Sequence, residues 1–196
     1  MKTSNSFPIG LAAIWHEPNK QQIPDATLRN WLLDTGSLTE RLESYCQDFR
    51  VQVLGQQHSE VSIEESQQLT AYSSATAVTK WQVREVILWC NNQPWVFARS
   101  IIPEQMCQSE FVDLGNQPLG KLIFNDPRFI RMPFKITQIN QNHSIISALK
   151  LPCKQSLWAR RSVFQFGGLA MSVAELFLPR APAYAELNQT SSYHVN

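Results

Sequence analysis

The side chains in this sequence that could do chemistry are charged residues on the apolar faces of predicted strands. Side chains alternate between the two faces of a strand, so residues two apart share a face. Glu175 and Arg99 each share a face with apolar residues and are therefore candidate buried charges. The apolar residues are Met171, Val173 and Phe177 beside Glu175, and Trp95, Phe97 and Ile101 beside Arg99.

A third charged position lies in the segment 81–90, which is apolar on both faces. Arg84 and Glu85 are adjacent there, so one of the two must face inward, and alternation does not say which. A buried charge is unstable without a partner. The charges could pair with one another, as structural ion-pair networks do. Alternatively, Arg side chains accept the carboxylate of a small ring compound while Glu175 holds or moves a proton.

Other catalytic and cofactor patterns are absent from the sequence. The four His are scattered, no G-x-S-x-G motif occurs, and the four Cys include no C-x-x-C pair. No Gly-rich loop opens a helix after a strand. We therefore expect no metal and no nucleotide cofactor. Arg160 and Arg161 occupy opposite faces of a predicted strand, and we interpret both as solvated or structural.

Composition and charge narrow the class of protein. The 196 residues suit one domain, and 43% hydrophobic residues exclude wholesale disorder. A formal charge of +1 gives no field that would hold nucleic acid. No apolar run approaches the roughly 20 residues that span a bilayer, and the N-terminus lacks a signal-peptide core. We expect a cytoplasmic monomer with free cysteines.

The elements that must position these charges are short helices and hairpin strands. Asp25 predicts the cap of one helix and the S-x-x-E pattern at 37–40 that of the next; a third begins at Asn116 or Gln117. Strand patterns occupy 49–55, 81–90, 95–102, 129–139, 144–149, 157–166 and 169–178, with turns at 91–94 and 167–168 and a mostly polar loop at 56–75 that has one helical turn at 63–69. This order predicts an α+β fold with a single antiparallel sheet of about six strands.

Eight short segments carry a resemblance to a known family. They are WLL (31–33), GSLTER (36–41), VREVIL (83–88), PW (94–95), ARSIIP (98–103), PLG (118–120), LWARRS (157–162) and ELFLP (175–179), followed by Pro182 and Tyr184. In order and spacing they resemble the chorismate pyruvate-lyases of bacterial ubiquinone biosynthesis. The resemblance implies one chorismate-lyase-like domain over residues 1–185, and we expect the polar tail 186–196 to be disordered.

The resemblance also implies a function and a binding site. It implies a carbon-oxygen lyase without metal or cofactor that converts chorismate to 4-hydroxybenzoate and pyruvate, the first committed step of ubiquinone biosynthesis. The ligand would lie in a buried pocket beneath helix-turn-helix flaps. By resemblance, Arg84 and the backbone N–H groups of Leu38 and Leu119 bind the aromatic carboxylate, and Glu175 meets the phenolic end. Leu38 stands where Met is commonest in the family, and the loop at 134–156 is longer.

Chorismate carries two carboxylates, which suits two buried Arg residues. We expect Arg84 to bind the ring carboxylate and Arg99 the side-chain carboxylate, with Arg84 and Glu175 as the catalytic residues. Glu175 either hydrogen-bonds the C4 hydroxyl or acts as a general base. Closed flaps predict slow release and product inhibition by 4-hydroxybenzoate. We expect no nucleic-acid partner and no stable membrane insertion. The alternatives are a non-catalytic module of the same fold that binds small aromatic acids, as in effector domains of transcription regulators, and a lyase that releases a different hydroxybenzoate.

Overall fold

The strands of the described residues join one antiparallel sheet. The computed structural model describes residues 7–74, 80–111, 114–153 and 155–185. The strands are β1 (Phe49–His58), β2 (Trp81–Cys90), β3 (Gln93–Pro103), β4 (Ile130–Arg131), β5 (Lys135–Ile139), β6 (Leu157–Phe166) and β7 (Leu169–Phe177). Their order is β1-β2-β3-β7-β6-β4, and β5 also pairs with β6. The predicted α+β class with one antiparallel sheet is confirmed.

Left-handed backbone at two turns forms the hairpins in the middle of the sheet. Asn91 and Asn92, between β2 and β3, have φ angles of 48° and 61°. Gly167 and Gly168, between β6 and β7, have φ angles of 55° and 80°. Tight hairpin turns need such angles, which Asn and Gly tolerate best. Both predicted hairpins are confirmed, and β3 begins at Gln93, two residues earlier than predicted.

Short helices lie between the strands and cover the sheet. They are α1 (Ala26–Leu32), α2 (Leu38–Tyr45), α3 (Ile63–Ala71), α4 (Glu104–Ser109), α5 (Leu119–Asn125) and α6 (Ser144–Ala148), with 3₁₀ turns at Pro18–Lys20 and Pro182–Tyr184. Asp25 Oδ1 accepts a hydrogen bond from Leu28 N at 2.7 Å, and Ser37 Oγ accepts one from Glu40 N at 3.3 Å. These caps satisfy N–H groups that have no partner within the first turn of a helix. No helix among the described residues is long and apolar enough to cross a bilayer.

The prediction of a strand at residues 144–149 is wrong, because this segment forms α6. Its adjacent residues Ile145 and Ile146 are both buried, which fits a helix whose side packs on the core rather than alternating strand faces. His143 caps the helix, since its Nδ1 accepts a hydrogen bond from Ile145 N at 3.2 Å. A histidine cap is not one of the residue types by which helix starts are usually predicted.

Other predicted boundaries differ by a few residues. Strand β1 continues to His58 through a shift of register between Val53 and Gly55, and the predicted helical turn near residue 63 is the longer α3. Helix α5 begins at Leu119, later than predicted, because Pro118 occupies the cap position in an extended conformation. The predicted strand at 129–139 is divided into β4 and β5. The predicted disordered tail at 186–196 lies outside the described residues.

The register aligns residues of β2, β3, β7 and β6 into two rows that face opposite sides of the sheet. The front row contains Arg84, Ser100, Val173 and Ser162, which are successive Cα partners on β2, β3, β7 and β6. The back row contains Glu85, Arg99, Ala174 and Arg161 on the same strands. The front row faces α2 and α5, whereas the back row contacts α3 and the N-terminal segment. Arg84 and Glu85 are therefore both buried, on opposite faces.

Tyr184 joins the chain end of the described domain to the sheet, and its loss should destabilise the fold. Its hydroxyl accepts a hydrogen bond from Trp158 N at 2.7 Å and donates one to Phe177 O at 3.0 Å, in a fully buried site. Because Tyr184→Phe leaves both backbone groups unpaired, we expect the free energy of unfolding in urea to fall by about 1–3 kcal/mol. Tyr45→Phe, at an exposed ring, is the control. Equal losses in the two variants would contradict this account.

Candidate active site

A pocket lies on the front face of the sheet beneath α2 and α5. The space between its walls is about 630 Å³, counting the part open to solvent. The polar residues that line it are Thr39, Arg84, Ser100, Arg131, Ser162 and Glu175. Apolar side chains of the sheet and of the two helices form most of the remaining wall, so the pocket suits a flat ligand with charged ends.

Arg84, on β2, is a buried cation held by neutral acceptors. Its Nη1 donates to Gln56 Oε1 at 2.6 Å and to Gly115 O at 2.8 Å, and its Nη2 donates to Gln117 O at 3.1 Å. Burial lowers the pKa of the guanidinium. Among the described residues, no carboxylate lies within ion-pair distance of Arg84. A buried cation with only neutral partners can bind an anion.

Glu175, on β7, is oriented by a second buried guanidinium. Its Oε2 accepts a hydrogen bond from Arg160 Nε at 2.6 Å. Arg160 Nη1 donates to Trp31 O at 3.0 Å and to Asp34 O at 2.9 Å, at the C-terminal end of α1. Within the described part of the chain, Oε1 of Glu175 has no hydrogen-bond partner, and the residue lines the pocket. Its free oxygen can therefore accept a proton or a hydrogen bond from a ligand.

Arg131, on β4, is a second cation in the pocket wall. Its Nε donates to Ser162 Oγ at 3.0 Å, its Nη1 donates to Thr35 O at 3.1 Å, and the guanidinium lies 3.7 Å from the centre of the Phe134 ring. Burial, and to a smaller extent the charge of Arg160, lower the pKa of Arg131 to about 10. The guanidinium therefore remains charged at neutral pH.

Arg99 does not lie at this pocket, although the sequence analysis predicts a ligand contact there. It belongs to the back row, where its Nη1 donates to Glu85 Oε1 at 2.8 Å and its Nε donates to Glu65 on α3 at 3.3 Å. Glu85 also accepts hydrogen bonds from the backbone N–H groups of Ile9 and Gly10 at 2.7 and 2.8 Å. Arg99 thus has two carboxylate partners of its own, as in the ion-pairing interpretation of the sequence.

The adjacent pair Arg160 and Arg161 occupies opposite faces, as alternation predicts. Arg160 is 1% exposed and binds Glu175 and the end of α1, so its role is structural and the solvated alternative is wrong. Arg161 is buried on the back face, where its guanidinium lies 4.6 Å from the centre of the Trp15 ring. Burial lowers the pKa of Arg161 to about 10.

The helices α2 and α5 approach closely over the pocket and form its cover. Leu38 and Leu119 are the first residues of these helices, and both line the pocket. N–H groups in the first turn of a helix have no partner within the helix, so they are available to a ligand. A Cβ added at Gly120 would lie 2.8 Å from Thr39 Oγ1, which shows how tightly the two helices pack.

Comparison with known sequences decides the family. The sequence profile of the chorismate lyase family matches residues 10–188. The chain belongs to the chorismate lyase family. The probable chorismate pyruvate-lyase of Pseudoalteromonas atlantica is 47% identical over 185 residues, which are 94% of this chain and 96% of the relative. That of Shewanella frigidimarina is 34% identical, over 96% of this chain and 98% of the relative. The resemblance inferred from the eight segments is confirmed.

Solved structures of low sequence identity share the fold of this chorismate lyase family member. The effector domain of PhnF from Mycobacterium smegmatis has a TM-score of 0.55 and 13% identity, over 75% of this chain and 91% of that domain. A gene product of Staphylococcus aureus has a TM-score of 0.54 and 11% identity, over 75% and 90% of the two chains. At these identities the likeness concerns the fold alone.

The pocket brings together four of the five site residues that the sequence predicts for this chorismate lyase family member. These are Leu38, Arg84, Leu119 and Glu175. The pocket residue that sequence reasoning missed is Arg131. In the predicted strand 129–139 it shares a face with Lys135 and Thr137, and the strand that contains it has two residues, so alternation does not single it out.

The close packing of α2 on α5 predicts the effect of one added methyl group. Gly120→Ala places a Cβ against Thr39 Oγ1, and we expect this clash to lower the free energy of unfolding by about 1–3 kcal/mol, more than the gain of under about 1 kcal/mol from better helix propensity. In a Thr39→Ala background the nearest contact relaxes to 3.6 Å, so Gly120→Ala should cost little there. Urea unfolding of the four proteins measures the difference; identical losses in both backgrounds would contradict the clash.

Proposed function

We propose that this chain is a chorismate lyase, which converts chorismate to 4-hydroxybenzoate and pyruvate. One observation carries the proposal. In the pocket of this chorismate lyase family member, the buried cation Arg84 lacks a carboxylate partner among the described residues. Glu175 presents a free carboxylate oxygen to the same pocket. The relatives at 47% and 34% identity are named probable chorismate pyruvate-lyases.

The substrate binds with its ring carboxylate on Arg84 and its C4 hydroxyl on Glu175. The two residues stand on β2 and β7, two strand spacings apart, or about 10 Å between backbones. A single six-membered ring with a carboxylate at one end and a hydroxyl at the other fits between side chains at this separation. The N–H groups of Leu38 and Leu119 complete the contacts to the carboxylate from the covering helices.

The reaction breaks the C3–O bond of chorismate and removes the hydrogen at C4. The electron pair of the C4–H bond becomes part of the aromatic ring, the C3–O pair leaves with the enolpyruvate oxygen, and a proton completes pyruvate. Because aromatisation drives the reaction, the pocket acts mainly by orienting the substrate and excluding water. No step calls for a metal or a redox cofactor.

Glu175 has two candidate roles in this scheme. It accepts the C4 proton as a general base, or it holds the C4 hydroxyl by a hydrogen bond while the proton moves within the substrate. Glu175→Gln separates the roles, because the amide oxygen stays on Arg160 Nε and the NH2 group faces the pocket, where it can donate a hydrogen bond to the C4 hydroxyl oxygen but cannot take the proton. A kcat lowered by at least about 100-fold supports the base. A nearly unchanged kcat with a higher KM eliminates it.

We also propose a location and an assembly state for this chain. The four cysteines, Cys46, Cys90, Cys107 and Cys153, are free thiols, which is the state that a reducing cytoplasm maintains. Burial raises the pKa of Cys107 to about 11, so this thiol is unreactive at neutral pH. The proposal takes the enzyme as a cytoplasmic monomer.

Turnover of chorismate tests the proposed function. The purified chain is incubated with chorismate in buffer containing EDTA, and the products are separated by chromatography. Pyruvate and 4-hydroxybenzoate in equal amounts support the lyase. A different hydroxybenzoate would show that the chain is a lyase of another regiochemistry. No turnover, with a thermal shift on addition of 4-hydroxybenzoate, would contradict the enzyme and favour a binding module of the same fold.

Removal of the Arg84 charge should weaken the binding of both the substrate and the product. Hydrogen bonds to charged groups contribute about 1.5–3 kcal/mol, so Arg84→Met should lower kcat/KM for chorismate and the affinity for 4-hydroxybenzoate by roughly 10- to 100-fold each. Steady-state kinetics and calorimetry measure the two effects. Arg50→Met, which removes an exposed guanidinium stacked on Trp89 of the same sheet, is the matched control and should change neither. Unchanged affinity for 4-hydroxybenzoate in Arg84→Met would refute the contact.

A further inference from the structure

The second carboxylate of chorismate needs a partner that the proposed contacts do not supply. Arg84 and Glu175 account for the ring carboxylate and the C4 hydroxyl. Arg99 is bound to Glu85 and Glu65 on the back face of the sheet and cannot serve. Among the described residues that line the pocket, the cations are Arg84 and Arg131. We propose that Arg131 binds the carboxylate of the enolpyruvyl group, an inference that rests on the proposed lyase function.

The position of Arg131 suits the far end of the substrate. Its Nε is hydrogen-bonded to Ser162, which belongs to the front row with Arg84. Ser162 and Arg84 are three strands apart, about 14 Å between backbones. The guanidinium of Arg84 turns toward Gln56 on β1, away from Ser162. The two guanidinium groups therefore flank the pocket from opposite sides, with Glu175 on the strand between them.

The hydrogen bonds of Arg131 leave donors for a ligand. Ser162 Oγ and Thr35 O, both neutral acceptors, bind its Nε and Nη1. In the described part of the chain, its Nη2 has no hydrogen-bond partner and no carboxylate lies within ion-pair distance of the group. Arg presents a planar fork of donors that matches a carboxylate. Like Arg84, Arg131 forms no ion pair with a described carboxylate, although Glu175 and Asp34 are near enough to offset part of the lowering of its pKa by burial.

A purely structural role for Arg131 is the competing explanation. The residue ties Thr35, in the turn between α1 and α2, to the sheet, and its guanidinium stacks on Phe134. Loss of these contacts would loosen the cover of the pocket and weaken the binding of every ligand. Loss of a carboxylate contact would weaken only ligands that carry the second carboxylate. Ligands with one and with two carboxylates therefore separate the two explanations.

The test compares two stable aromatic probes in Arg131→Met. One probe is 4-hydroxybenzoate, and the other is 3-(carboxymethoxy)-4-hydroxybenzoate, which carries a second carboxylate on an ether at the ring position of the enolpyruvyl group. We expect the Kd of the dicarboxylate and the KM for chorismate to rise roughly 10- to 100-fold. The Kd of 4-hydroxybenzoate should stay within about threefold of the unmodified protein. Arg128→Met, which removes an exposed guanidinium three residues away, is the control and should change none of these.

Two results would overturn the inference. Equal weakening of both probes in Arg131→Met would assign the residue to the structural tie. Unchanged binding of the dicarboxylate would place its second carboxylate elsewhere. If Arg131→Met does not unfold cooperatively, Ser162→Ala tests the same claim, because it removes the hydroxyl that orients Arg131. Ser162→Ala should weaken the binding of the dicarboxylate alone. An equal change in the Kd of both probes, relative to the unmodified protein, would overturn the inference.

Measuring ligand binding as well as turnover distinguishes a failure of the Arg131 contact from a failure of the proposed lyase function. If the unmodified chain leaves chorismate intact but loses affinity for the dicarboxylate in Arg131→Met, the lyase function fails and the second carboxylate contact is supported. If chorismate is converted and Arg131→Met changes neither KM nor dicarboxylate binding, the lyase stands and the contact is refuted.

Discussion

One buried guanidinium, that of Arg160, joins the sheet to the helix that covers it. Its Nε binds Glu175 on the neighbouring strand, and its Nη1 binds the carbonyl groups of Trp31 and Asp34, more than 120 residues away in sequence. A buried charge is tolerated only when its hydrogen bonds are complete. The end of α1, the register of β6 on β7 and the direction of the Glu175 carboxylate are therefore fixed together. Oε1 of Glu175, the carboxylate oxygen that Arg160 does not bind, is the oxygen available to the pocket.

The two faces of the sheet use the same residue types for different purposes. On the back face, Arg99 meets Glu85 and Glu65, so charge is neutralised within the protein. On the front face, the described hydrogen-bond partners of Arg84 and Arg131 are neutral acceptors, and in the proposed function both cations bind carboxylates of the substrate. The difference arises from segments distant in sequence, since α3 brings a carboxylate to the back face, whereas β1 and the residues before α5 bring an amide and carbonyl groups to Arg84.

Local patterns in the sequence predict the hairpins and the pocket strands, because turn residues and face alternation act over a few residues. Asn91 and Gly167 mark the turns, and Glu175 stands out within its own strand. Alternation fails for Arg99, because a sheet buried on both faces makes either face apolar and only the register across strands assigns a residue to the pocket. Alternation does not identify Arg131 either, because its strand has two residues, too few for a periodic pattern to establish a face.

The central claim is that the front face binds an aromatic acid between Arg84 and Glu175 beneath α2 and α5. A crystal structure of the chain with 4-hydroxybenzoate tests this claim most directly. The account predicts the carboxylate within about 3 Å of the Arg84 guanidinium and the hydroxyl at a similar distance from Glu175 Oε1. A ligand in the reverse direction, with its carboxylate on Arg131, or a ligand on the back face beside Arg99, would contradict it.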